Sequence, residues 1–291
     1  MIKNKRSKLK GKQVDLLVLL GMLAVMCAYS IVTAHNFWGK PLFVGVVMCV
    51  PATLYLGWRR PKPWKKIMLA STLFGLLCGF LFEFIQVSAG AYYIVPTVFP
   101  KLFGFLPPDN FLGHFLMSLL TFTFYEHFVN KESSKVISPR YRHILIAVIG
   151  ADALLIAMHF LAPNLLHISY SYGIFGVIAL VPLVRLLIIH PKYYRDVALM
   201  MPYFFCAYFS FELIAVKYKW WIYPSAHYLG YVQFLGLKFP FEEFFFWIML
   251  YAATITSYYK TYLDLPLTKG AHQSKQRSKT GKLARQSVIV S

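Results

Sequence analysis

Charge is what this chain has least of. Only 14% of its 291 residues are charged, and acidic side chains number 11 against 30 lysines and arginines. A soluble globular chain carries roughly 25% charged residues, so the deficit, beside a 58% hydrophobic content, excludes an ordinary water-solvated fold. Cysteine is scarce too. Cys27, Cys49, Cys78 and Cys206 all lie within apolar runs and none forms a Cys-x-x-Cys pair. A disulfide framework and a zinc site are thereby excluded, and the thiols read as small buried hydrophobes. The nine histidines share no metal-ligand spacing with one another or with an acid. Glycine-rich phosphate loops, the dinucleotide fingerprint and the Gly-x-Ser-x-Gly elbow are missing, as are the Asp-rich helices of diphosphate–magnesium chemistry. No metal, flavin or other cofactor is expected.

What the chain has in abundance is apolar runs of about 20 residues, the length that spans a bilayer as a helix. The pattern predicts an all-α, polytopic membrane bundle of eight transmembrane helices, over 14–34, 40–57, 67–90, 108–129, 142–162, 171–190, 197–217 and 240–262. Proline and polar punctuation marks the breaks: Arg59-Arg60-Pro61, Pro107-Pro108, Ser138-Pro139, Ala162-Pro163-Asn164, His190-Pro191 and Phe239-Pro240. Residues 1–13 and 264–291 read as basic tails, the second of them disordered by composition. The first apolar run, which ends at Val32-Thr33-Ala34, exceeds the usual signal-peptide core of about 7–15 residues. It is read as an uncleaved span.

The formal net charge of +19 raises the question of nucleic acid, since basic patches bind phosphate. The position of the cations answers it. With both termini cytoplasmic, 23 of the 30 lysines and arginines fall in the tails and alternate loops on that side, and five fall outside. The positive-inside rule then sets the orientation and places the chain in the cell membrane, with the lipid bilayer as its surroundings and no nucleic-acid partner.

The sequence also repeats itself. Phe82-Glu83-Phe84-Ile85-Gln86-Val87 followed by Tyr92-Tyr93-Ile94-Val95-Pro96 matches Phe211-Glu212-Leu213-Ile214-Ala215-Val216 followed by Trp220-Trp221-Ile222-Tyr223-Pro224. Gly104 to Phe111 matches Gly236 to Phe244 with one gap, and Val47 to Pro51 resembles Val177 to Pro182. Two four-helix units, 14–129 and 141–263, are expected. An even number of helices per unit makes the repeats parallel, related by an axis along the membrane normal.

Against so few acids, those near or inside apolar helices stand out: Glu83 and Asp109 in the first unit, Glu212, Glu242 and Glu243 in the second. A carboxylate in hydrocarbon costs several kcal/mol and normally faces a functional interior. Helix capping is the competing account of Glu242 and Glu243, which follow Pro240 in the first turn of the last helix. Asp152 is expected to pair with Arg185 or His159 inside the bundle, and Glu126 to be interfacial. Aromatic side chains surround the acidic region, Trp220, Trp221, Tyr223, Phe244, Phe245 and Trp247 among them. An interfacial belt explains some of these. Aromatic faces also stabilise cations by about 0.5–2 kcal/mol each, which suits chemistry passing through a carbocation.

The segment Trp221-Ile222-Tyr223, then Gly236 through Pro240-Phe241-Glu242-Glu243-Phe244-Phe245-Phe246, resembles the membrane-embedded lycopene cyclase domain family, in which an aromatic segment precedes a Pro-x-Glu-Glu motif. The likeness is most specific over 205–262. It implies a carotenoid end-group cyclase that closes rings on lycopene by proton-initiated carbocation chemistry without net redox. Glu242 and Glu243 match the motif carboxyls, one of them the acid, and Glu212 falls where the family has an acidic residue. A carboxyl in an apolar site keeps its proton at neutral pH and can donate it; a second carboxylate can take a proton back. The implied substrate is a hydrophobic polyene, and other carotenoid enzymes are implied as partners. In the first unit the motif reads Pro107-Pro108-Asp109-Asn110, with Asn110 in place of the second acid. Other readings remain open at this point: a hydratase acting on the same kind of cation, a transporter built from parallel repeats with intramembrane carboxylates, or a non-catalytic partner subunit.

Overall fold

The computed structural model describes residues 2–59, 62–130 and 135–264, with side chains from residue 11 onward. Among the described residues the chain forms eight helical rods: α1 Ile2–Thr33, α2 Pro41–Arg59, α3 Trp64–Ser88, α4 over 108–129, α5 Arg140–Leu161, α6 Ser171–Ile189, α7 Tyr193–Lys217 and α8 over 243–263. Six of them, all but α4 and α8, are long and apolar enough to cross a membrane. Their outward faces carry Ile146, Leu154, Phe160, Leu161, Val177 and Ile188, all exposed. So large an apolar exterior marks an integral membrane protein. The rods α4 and α8 are the inner ones. The regular part of α4 is only 17 residues long, and α8 is interrupted at Leu250.

The predicted spans lie close to these rods, with one clear difference. Helix α1 runs back to Ile2 through residues expected to form a tail, since lysine and arginine are good helix formers. The basic tail expected over 264–291 lies, apart from Asp264, outside the described residues.

Helices α3, α4 and α8 contain π-helical turns, at Ser71–Leu77, Tyr125–Val129, Glu243–Met249 and Tyr259–Leu263. Such turns are rare and gather at functional sites. Close packing of α3 on α4 depends on Gly75, where a Cβ would come within 2.7–2.8 Å of Ser118 Oγ and the His114 carbonyl.

One end of the bundle is ionic. Asp15, buried on α1, accepts Arg59 Nε at 2.6 Å and Tyr55 OH at 2.9 Å, and meets His127 Nε2 at 2.8 Å. Lys62 Nζ reaches His127 Nδ1 at 3.0 Å. Lys66 is fully buried, paired with Asp264 and lying over the Tyr259 ring. Lys66 is thus part of the packed interior, not a solvated loop cation. Glu126 is also buried rather than interfacial, accepting Tyr259 OH at 2.6 Å and Asn130 Nδ2 at 3.1 Å. Asp152 has neither expected partner: its Oδ1 is unpaired, Arg185 is exposed, and His159 packs on Phe84 and Phe105.

The opposite end holds short strands: β1 Tyr93–Ile94, β2 Trp221–Ile222, β3 Tyr231–Phe234 and β4 Leu237–Pro240. Strands β3 and β4 form a hairpin around Leu235 and Gly236, both at positive φ, as a two-residue type I′ turn requires. Phe103 and Gly104 form a like pair in the earlier loop. Strands β1 and β2 pair antiparallel, Tyr93 opposite Ile222 and Ile94 opposite Trp221. Helices α3 and α7 both end in a left-handed residue, Gly90 and Lys219. At α3 the bonds run from Gly90 N to Val87 O and from Ala91 N to Gln86 O; at α7, from Lys219 N to Val216 O and from Trp220 N to Ala215 O. These are the same C-terminal cap, which satisfies carbonyls the helix leaves open.

Candidate functional site

At the strand-bearing end, a cavity of about 780 Å³ opens among α2, α3, α4, α6, α7, α8 and the loops between them. Its lining contains Glu83, Asp109, Glu212 and Glu243, and neither lysine nor arginine.

The carboxyl groups arrive from helix ends and find different partners. Glu83 Oε1, near the end of α3, accepts Tyr92 OH at 2.5 Å and lies 2.9 Å from His114 Nε2 on α4. Glu212, near the end of α7, takes the indole N–H of Trp221 at 3.1 Å on both oxygens and Tyr223 OH at 3.0 Å on Oε1. Each glutamate therefore bonds the side chain nine residues further on, which the β1–β2 pairing holds in place. Glu243, in the first π turn of α8, accepts the Tyr172 hydroxyl from α6.

Asp109 lines the cavity, but its carboxylate is occupied. Oδ1 accepts Val98 N at 2.6 Å and Oδ2 accepts Phe99 N at 3.2 Å. Glu242 does the same for the later loop, with Oε1 accepting Leu229 N at 2.7 Å. It is fully buried and absent from the cavity lining, so the two adjacent glutamates of the motif separate. The next residue along faces the cavity in both places: Asn110 Nδ2 donates to Tyr92 OH at 3.3 Å, and Glu243 meets Tyr172.

Aromatic rings enclose the acids. His114 stacks on Trp247 with centroids 4.6 Å apart, and Trp247 stacks on Tyr251 at 4.7 Å. Trp221, Tyr223, Tyr172, Tyr208 and Phe211 complete the wall. Burial, then the charge and hydrogen bond of Glu83, push the Tyr92 hydroxyl well above its ordinary range. Burial and Glu212 do the same to Tyr223. Both phenols therefore remain donors to carboxylates across the neutral range.

Of the residues expected from sequence, Glu83, Asp109, Glu212, Glu243, Trp221, Tyr223 and Trp247 share this cavity. Glu242, Trp220, Phe244 and Phe245 lie off it. Trp220 packs edge-on to Phe211 in the core, Phe244 edge-on to Phe205 and Phe209, and Phe245 on Phe241 and Phe246. Sequence pattern alone does not single out Tyr92, His114, Tyr172, Tyr208 and Tyr251, which also line the cavity. One signal for Tyr92 was available: it follows Glu83 at the interval by which Trp221 follows Glu212. The others meet the site only through tertiary packing. No family model, curated protein or solved structure matches this chain.

Proposed function

We propose that this protein is a carotenoid end-group cyclase acting on lycopene. The observation that carries the reading is the convergence of Glu83, Glu212 and Glu243 on one aromatic-walled cavity without lysine or arginine. Carboxyl groups there can exchange protons with an apolar alkene, and the rings stabilise the cation that forms.

In this reading Glu243 is the acid. Its O–H adds a proton to the terminal C=C, leaving a tertiary cation. A second C=C of the same end group attacks that cation, forming the ring C–C bond and moving the charge onto the ring. Loss of a C–H proton to Glu83 restores an alkene. The substrate gains one proton and loses one and no electrons are exchanged, so the step calls on no cofactor. Glu83 ends the step protonated and Glu243 ionised, and the proton passes back to Glu243 once product has left and water has entered the cavity. Tyr92 and His114 position Glu83, and Trp221 and Tyr223 position Glu212 beside the path of the cation. The aromatic wall keeps out water, which would otherwise trap the cation as an alcohol.

The eight rods are read as eight spans in two related four-helix units, 14–129 and 141–263, with both termini cytoplasmic. Three features support the repeat: the matched caps of α3 and α7, the reciprocal pairing of Tyr93–Ile94 with Trp221–Ile222, and the parallel roles of Asp109 with Glu242. Asn110 in the place of Glu243 leaves one acid for one end group at a time.

Expression in a lycopene-accumulating bacterium tests the activity. Replacement of the linear red pigment by cyclic product is the expected result. Unchanged lycopene with the protein present in the membrane overturns the reading.

A further inference from the structure

Beside the acid cavity runs a second space of about 970 Å³, between α3, α6 and α8. Its walls are apolar, with Phe74, Phe82, Phe175, Ile178, Phe246 and Tyr258 among them. It shares His114, Trp247 and Tyr251 with the cavity, so the two spaces meet at the stacked rings. From Phe82 to Phe74 the groove follows α3 for eight residues, about 12 Å at 1.5 Å per residue. It runs away from the acids toward the middle of the bundle. Ile178 on its rim is half-exposed on the same outward side as Val177 and Val181, so the groove opens sideways toward lipid. Gly176 forms part of its wall, where a Cβ would lie 2.4 Å from the Phe246 ring.

We infer that this groove is the lateral entry and seat for the unreacted arm of the polyene, so that the substrate comes from the bilayer with one end group passing Trp247 into the acid cavity. The inference rests on the proposed substrate class and adds the route. Continuity with the cavity selects this occupant: an apolar chain lying here delivers its end to Glu243, which a lipid acyl chain bound here has no reason to do. Ala179, a small residue on the α6 wall beside Gly176, sets how much room the arm has.

The test uses the acid-deficient variant Glu243→Gln, produced in lycopene-accumulating cells and purified in detergent. Bound polyene per protein is read from its absorbance. Ala179→Ser, Ala179→Leu and Ala179→Trp are added in that background, and separately in the wild-type chain for pigment conversion. Stoichiometric lycopene is expected with the native Ala179 and with Ala179→Ser, where the side chain stays small. Graded loss is expected for Ala179→Leu, and a fall of about tenfold or more for Ala179→Trp. Monodispersity and thermal midpoint establish that each variant is folded. If Ala179→Trp does not fold, Ala179→Leu and, at the rim, Ile178→Trp decide. Equal lycopene across the folded series, or a stoichiometric phospholipid in place of lycopene, overturns the groove. The cyclase reading fails separately: size-dependent polyene binding without any cyclisation by the wild type removes the activity and leaves the groove standing.

Discussion

Glu242 and Glu243 are neighbours in the chain that serve different places. Glu242 binds the Leu229 amide at 2.7 Å, while Glu243 meets Tyr172 at the cavity wall. Glutamine at each position preserves volume and removes the acid. Glu243→Gln should lower conversion of lycopene by about 10²-fold or more, as loss of a general acid does. Glu242→Gln should weaken the buried hydrogen bond from the Leu229 amide, costing about 1–3 kcal/mol of stability, with turnover per folded molecule within about tenfold of wild type. Pigment conversion normalised to membrane-inserted protein measures both. Equal losses at the two positions would contradict the division of labour.

How much of this is legible in the sequence follows from what each element depends on. The helical rod expected over 108–129 begins at Pro108, where the punctuation puts it, and ends at Val129, because proline and apolar length act locally. The hairpin over 231–240 carries no such signal, since its turn rests on Leu235 at positive φ, an uncommon place for that residue. The acids are visible because hydrocarbon makes them conspicuous, yet their assignment is not. Successive residues on a helix point about 100° apart, and only the packed neighbours show which one meets the cavity. Lys66 reads as a loop cation in sequence because its partner, Asp264, lies 198 positions away.

Asp109 offers a control in the first half of the chain. Its two oxygens accept Val98 N and Phe99 N, so Asp109→Asn should destabilise by about 1–3 kcal/mol through a poorly matched buried acceptor. Conversion per folded molecule should fall much less than for Glu243→Gln. Thermal unfolding in detergent, run beside the pigment assay, separates the two effects.

The buried phenols predict an alkaline limit. Tyr92 and Tyr223 both hold their protons more tightly when folded than the ordinary value of 10.0 allows. The native state thus binds more protons than the unfolded chain above that value, and stability falls as pH rises. Their contribution is complete below about pH 10 and is lost progressively above it. A Tyr92→Phe, Tyr223→Phe double variant should show a shallower drop in thermal midpoint between about pH 10 and 12. A drop as steep as wild type would exclude these two groups as its source.

Orientation is open to a direct measurement. The 23 cations assigned to one side predict that a reporter fused after residue 291 is cytoplasmic and one inserted between 97 and 101 is external. An external C-terminus would remove the eight-span reading and the parallel repeat with it.

His114 joins packing and chemistry in one side chain, and two substitutions separate them. Its ring stacks on Trp247 at 4.6 Å, and its Nε2 lies 2.9 Å from Glu83. Phenylalanine keeps a flat ring against Trp247 and removes the nitrogen from Glu83; alanine removes both. If the nitrogen positions Glu83, His114→Phe should cut turnover by about tenfold, the free-energy equivalent of one such bond, while the thermal midpoint stays near wild type. His114→Ala should lose that factor and also several degrees of midpoint, because the stacked pair contributes about 0.5–1.5 kcal/mol beyond area burial. Turnover of His114→Phe equal to wild type, with the loss confined to His114→Ala, would reduce His114 to a packing residue and leave Tyr92 as the positioning contact to Glu83.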